Sequence, residues 1–108
     1  MSGVYLRFFV HEGERHGSEL LFEWLLHKAK RMGISGGSAI RAVAGYGRHG
    51  VLHEQSFFEL AGNLPVEVVF LTSRENAERL LARVSADALK LVYSVTETEI
   101  GVTGADPG

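Results

Sequence analysis

The segment "PVEVVFLTSRE", residues 65–75, holds a strand and the start of a helix with no linker between them. Proline lacks an N–H and is tolerated at a strand's first residue, and the β-branched and aromatic run behind it suits a pleated strand. Alternation puts Val66, Val68 and Phe70 on one face and Val69 and Leu71 on the other. Thr72 to Glu75, "TSRE", then has the form of a capping box, with Thr72 as the cap. Beyond it Ala77, Leu80, Leu81 and Val84 recur at helical spacing and form one apolar stripe.

Outward from this unit, the N-terminal part shows the same strand-then-helix order. In "VYLRFFV", residues 4–10, Val4, Leu6, Phe8 and Val10 share one face, and Tyr5, Arg7 and Phe9 the other. A polar loop, "HEGERHG", follows. Ser18 is the expected N-cap of the next helix, with Glu19 in its first turn, where a carboxylate suits the helix dipole. Leu21, Trp24, Leu25, Lys28, Ala29 and Met32 keep helical spacing, the Lys28 stem lying on the stripe's margin. Arg31 falls in the last turn, and Gly33 is the expected C-terminal cap. "SAIRAVAGYG", residues 38–47, reads as a second strand, and residues 48–63 show no clean period. "LKLVYSVTETEI", residues 89–100, reads as the fourth strand.

The order βαββαβ predicts an α+β, ferredoxin-like sandwich: a four-stranded antiparallel sheet with two helices on one face. Residues 1–103 are expected to make one domain and 104–108 a flexible C-terminal tail. Two helices cover one face only, yet bulky apolar groups stand on both, where a wet face should alternate with polar residues. Self-association through the open face is the expected remedy, because large apolar patches are rare on monomers.

Composition narrows the function. With 45% apolar and 22% charged residues, the 108-residue chain has the profile of a soluble globular protein. A net charge of −2 argues against a general nucleic-acid binder, and the lack of cysteine excludes disulfides and thiolate chemistry. No signal-peptide pattern and no apolar run of about 18 residues is present, so a cytoplasmic location is expected. No nucleophile-elbow spacing occurs. The chain reads as a non-enzyme needing no cofactor.

Gly45-Tyr46-Gly47-Arg48-His49-Gly50 matches the dinucleotide spacing GxGxxG, but no helix opens at the last glycine, as that motif requires. Two readings stand. The glycines expose backbone N–H groups as an anion nest, with Arg48 adding a fork suited to phosphate; or they relieve crowding where a strand turns into a loop. Among the five histidines, His49 and His53 have metal-ligand spacing only on a helix, which Gly50 disfavours. No metal site is assigned. His11 and His16 flank the first loop, and His27 lies on the first helix; all read as surface or hydrogen-bonded. Glu12, Glu14 and Arg15 form a charge cluster that is either solvated or ligand-orienting, and Phe57 and Phe58 read as a core lid or a partner handle.

"AVAGYGRHG", residues 42–50, resembles the junction at which PII signalling proteins pass from a strand into their long T-loop, and "NLPVEVVFLTSRE" resembles the PII third strand and second helix. The whole chain, over approximately residues 4–100, resembles the PII-like domain-of-unknown-function family 190 through "LRFFVHE", "GISGGSAIRAVAGYG", His53 and the "LPV" strand opening. The resemblance implies a homotrimer with ligand sites in clefts between subunits and a signalling loop over 46–63. It implies a ligand-binding role for Gly45, Tyr46, Gly47 and Arg48, and for His49 where PII has a glutamine. Val66 stands where PII has a phosphate-facing lysine, "VSADALKLVYS" replaces a glycine-rich phosphate loop, and "TETEIG" replaces a basic C-terminal pair. An adenine nucleotide of low charge, such as a monophosphate, is therefore the implied ligand. The implied partner is a membrane transporter or an enzyme. Alternatives are a metal-responsive protein like the divalent-ion tolerance proteins of this architecture, and a ligand-free partner module regulating ion export, since family members are often encoded beside fluoride channels.

Overall fold

A computed structural model describes residues 1–45 and 64–104. β1 (Ser2–His11), β4 (Gly37–Arg41), β5 (Pro65–Thr72) and β6 (Val92–Glu99) form an antiparallel sheet in the order β4-β5-β1-β6. A short ribbon, β2 (Arg15–His16) with β3 (Glu19–Leu20), lies between β1 and α1 (Leu21–Arg31), and α2 (Arg74–Ala86) joins β5 to β6. The register places Leu6 opposite Phe70 and Phe8 opposite Val68. One face of the sheet thus presents Val4, Leu6, Phe8, Val10, Val66, Val68 and Phe70 to Leu21, Trp24, Leu25 and Ala29 of α1 and Ala77, Leu80 and Val84 of α2. Phe8 and Phe70 meet edge to face at 6.4 Å in the middle of this core. The alternation and both helical stripes expected from the sequence are present, as is the βαββαβ order. No helix among the described residues is long and apolar enough to cross a membrane.

Four boundaries differ from expectation. Ser18 does not cap α1: the N-cap is Leu20, in extended conformation, and the acidic residue of the first turn is Glu23. The cause is the ribbon. Gly17, at φ 65°, turns the chain so that His16 pairs with Glu19, and the Leu21 N–H is taken by the Glu14 carbonyl at 2.7 Å. The turn and its strand pairing here override the capping signal. Second, α2 is capped one residue later than "TSRE" suggests. Ser73 Oγ accepts from the Asn76 N–H at 3.1 Å, while Thr72 is buried as the last residue of β5. Third, the second strand ends at Arg41 rather than running to Gly47. Fourth, the last strand starts at Val92, three residues later than expected.

Gly33 behaves as read. At φ 90° it closes α1, its N–H bonding to the Lys30 carbonyl and that of Ile34 to the Ala29 carbonyl, the reciprocal pair that ends many helices. Ile34 is buried over that last turn.

The second face of the sheet carries Tyr5, Arg7 and Phe9 of β1, Val69 and Leu71 of β5, Ile40 of β4, and Val92 and Ser94 of β6. Leu71 and Ile40 are about half exposed, at 49% and 50%. No helix among the described residues covers them, because α1 and α2 both pack on the other side.

Candidate functional site

Three chain ends meet at one end of the sheet: the end of β1, the end of β4 and the start of β5. They are fastened by backbone bonds. The Ala42 N–H donates to the Pro65 carbonyl at 2.9 Å, and the Glu12 N–H to the Leu64 carbonyl at 2.8 Å. The described residues on either side of 46–63 therefore lie together at one mouth, with β1 ending beside Leu64. Gly45 sits at the departure, close enough that a Cβ there would touch the Pro65 ring at 3.5 Å.

A side-chain bond closes the mouth. β4 and β1 are not neighbours, since β5 lies between them. Arg41, opposite Val66 in the ladder, nevertheless reaches over β5 and donates from Nη2 to Glu12 Oε2 at 2.5 Å. Arg41 stays largely exposed, at 59%, while Glu12 is mostly covered, at 23%. A guanidinium carries five N–H donors, so a single carboxylate oxygen leaves it donor capacity to spare. Val66 beneath the pair is core.

Of the residues singled out from the sequence, Gly45 lies at this mouth; Tyr46, Gly47, Arg48 and His49 lie outside the described residues, as do His53, Phe57 and Phe58. Within the Glu12, Glu14, Arg15 cluster only Glu12 reaches the mouth's cation. Glu14 Oε1 accepts the His11 N–H at 3.1 Å, and Arg15 Nη2 donates to the Ser18 carbonyl at 2.6 Å, so both serve the local turn. Arg41 was not singled out by sequence reasoning. Its partner is set by the sheet order, for which no periodic signal exists.

The other histidines have structural partners. His27 contacts Glu19. His16 does not turn toward His11 but to Asp87, with Nε2 3.1 Å from Oδ2. Asp87 Oδ1 also takes Arg83 Nε at 3.0 Å. The hydrogen bond from His16, with the positive Arg83 beside it, holds the Asp87 carboxyl below its ordinary range. Among the described residues no three His, Asp or Glu side chains gather as a metal centre.

A cavity of about 460 Å³ opens at the opposite end of β1, lined by Ser2, Gly3, Arg74, Glu97, Thr98 and Glu99. Its cation Arg74 is paired with Glu97 at 3.1 Å, and Glu99 holds the terminal amine at 3.0 Å. Two carboxylates on its wall disfavour an anionic occupant. The mouth is the better candidate.

An antiparallel sheet in this order, with both helices on one face and residues 46–63 joining β4 to β5, is a PII-like ferredoxin fold. The chain belongs to domain-of-unknown-function family 190, whose model, described as "Uncharacterized ACR", matches residues 3–99. A UPF0166 protein of Aquifex aeolicus is 33% identical over 79 residues, covering 73% of this chain and 75% of the relative. A UPF0166 protein of Methanocaldococcus jannaschii is 35% identical over 78 residues, 72% of this chain and 71% of the relative. Among solved structures, CPII, a nitrogen regulatory PII-like protein from Thiomonas intermedia K12, superposes with a TM-score of 0.64 at 16% identity, covering 94% of this chain and 97% of that one. That structure was solved with ADP, AMP and bicarbonate bound.

Proposed function

We propose that this protein is a PII-like regulator that binds an adenine nucleotide of low charge beside the mouth of residues 46–63 and reports it to a partner protein through that segment. The observation that carries the reading is the fastening of the described residues on either side of 46–63 to one another and to the end of β1, through Ala42–Pro65 and Glu12–Leu64. A ligand held there touches the base of everything between. Such a ligand shifts the segment between arrangements by as much as its affinity differs for them, and no bond is made or broken. CPII's bound AMP and ADP support the nucleotide class. Gly45, Tyr46, Gly47, Arg48 and His49 supply the ligand's backbone and charged contacts.

In this reading the working unit is a homotrimer that buries the second face of the sheet and places the nucleotide in clefts between copies. Two observations support it. The uncovered face carries Tyr5, Phe9, Ile40 and Leu71. At its centre Arg7 Nε and Ser94 Oγ, opposite one another in the ladder, are buried with no hydrogen-bond partner among the described residues. Buried polar atoms need partners, and a second copy supplies them. The partner protein is a membrane transporter or an enzyme.

Hydrogen exchange with and without AMP or ADP tests the proposal. Altered protection across 46–63 with one of them is the expected result. Unchanged protection with every adenine nucleotide overturns it.

A further inference from the structure

Glu12 is attached twice. Its backbone N–H holds the Leu64 carbonyl, where the chain returns from 46–63, and its carboxylate holds Arg41, from which the chain departs. The two attachments differ in kind. The first is a backbone bond at 2.8 Å within the sheet's margin. The second joins a largely exposed guanidinium to a mostly covered carboxylate across an intervening strand, and on the Arg41 side it is open to exchange with solvent or a ligand. Arg15, the next cation along the chain, is turned away onto the Ser18 carbonyl. Arg41 is thus the cation presented at the mouth by the described residues nearest Gly45.

We infer that Arg41 is the anion-binding side chain of the site and Glu12 its built-in competitor, so that the phosphate monoester of a nucleotide binds by displacing the Glu12 carboxylate from Arg41. This rests on the nucleotide reading above. A phosphate monoester offers more charge and three oxygens to the guanidinium fork, where Glu12 offers one carboxylate oxygen at 2.5 Å. Displacement releases the side chain of the residue whose backbone anchors Leu64. Occupancy at the end of β4 is thereby communicated through the end of β1 to Leu64, just before β5, without any contact between ligand and Leu64. Glu12 accordingly sets both the affinity and the coupling.

Calorimetry with AMP and with adenosine tests this on the full chain and on Glu12→Gln, Arg41→Gln and the double variant. Glu12→Gln is expected to bind AMP about threefold more tightly, the gain from removing one competing carboxylate. Arg41→Gln is expected to bind it about tenfold more weakly, the loss of a charged hydrogen bond. In the Arg41→Gln background the Glu12 substitution gains nothing, because the two residues act as a unit. Adenosine, lacking the phosphate, is bound alike by all four. If AMP binds the full chain and Glu12→Gln equally, the competition is overturned while the nucleotide reading stands. A gain that survives in the Arg41→Gln background overturns it too, since a general field effect is then at work. Should none of the four proteins bind AMP or adenosine, the nucleotide reading falls and the role of Arg41 with it.

Discussion

His16 and Asp87, 71 positions apart in the chain, form a hydrogen bond at 3.1 Å that ties the β2-β3 ribbon to the end of α2. The His16 ring also stands edge-on to Trp24 of α1 at 4.8 Å, and Lys28 Nζ lies 5.5 Å from the centre of that indole. One histidine thus joins three elements. The ribbon's four paired residues would otherwise have little apolar area to hold them against the helices.

The pair makes stability depend on acid in a defined direction. Asp87 is depressed in the folded state by the His16 hydrogen bond and by Arg83, so its contribution is present above the ordinary value of 3.8 and is lost as pH falls through the lower folded value. Asp87→Asn should melt below the native chain near neutral pH, with the gap narrowing once pH drops under 3.8. Thermal unfolding across a pH series measures it. A gap that stays constant down to about pH 2 would contradict the assignment.

Gly37 is a packing position. A Cβ there would lie 2.5 Å from Phe70 Cε1 and 3.1 Å from Leu26 Cδ2, inside the layer between sheet and α1. Gly37→Ala should therefore cost about 1–3 kcal/mol of overpacking. Gly36 next to it faces open space, so Gly36→Ala should be close to neutral. Chemical denaturation of the two variants decides the matter, and equal midpoints would count against the contact.

What could be read from the chain alone followed from local periodicity. Val4, Leu6, Phe8 and Val10, and Val66, Val68 and Phe70, were placed on one face by alternation, and they are the core. The glycine after α1 was legible because only a residue free of Cβ crowding sits easily at φ 90°. Where two local signals competed, the pattern misled. Ser18 looks like a cap, but Gly17 beside it makes a turn, and the turn's strand pairing wins. The site was legible only in part. The candidates Gly45 to His49 stand out by composition, and of them only Gly45 lies among the described residues, whereas Arg41 meets Glu12 by reaching over the insertion of β5 between β4 and β1. That insertion is a property of the sheet and leaves no spacing in the sequence.

The caps give a direct comparison. Ser73→Ala removes the oxygen that holds the Asn76 N–H and should destabilise the fold by about 1 kcal/mol. Ser18→Ala removes no cap and should stay within about 0.5 kcal/mol of the native chain. Urea midpoints for both variants measure this, and a loss at Ser18 equal to that at Ser73 would refute the cap placement.

The second sheet face supplies the test of assembly. Leu71 is half exposed near the end of β5, on the face of Val69 and opposite Tyr5, so a carboxylate introduced there would have to be buried in any association through this face. An unpaired buried charge costs several kcal/mol, and each 1.4 kcal/mol or so is a factor of ten in an association constant. Leu71→Glu should accordingly sediment as single chains in dilute solution, while the native chain should sediment as the proposed trimer. Ala82→Glu, on the exposed side of α2, should leave the trimer intact. The helical signal of both variants should match the native chain, because neither residue belongs to the core between sheet and helices. A native chain that is monomeric at micromolar concentration, or a Leu71→Glu variant that still forms trimers, would leave Arg7 Nε and Ser94 Oγ without the partners proposed for them and remove the intersubunit cleft.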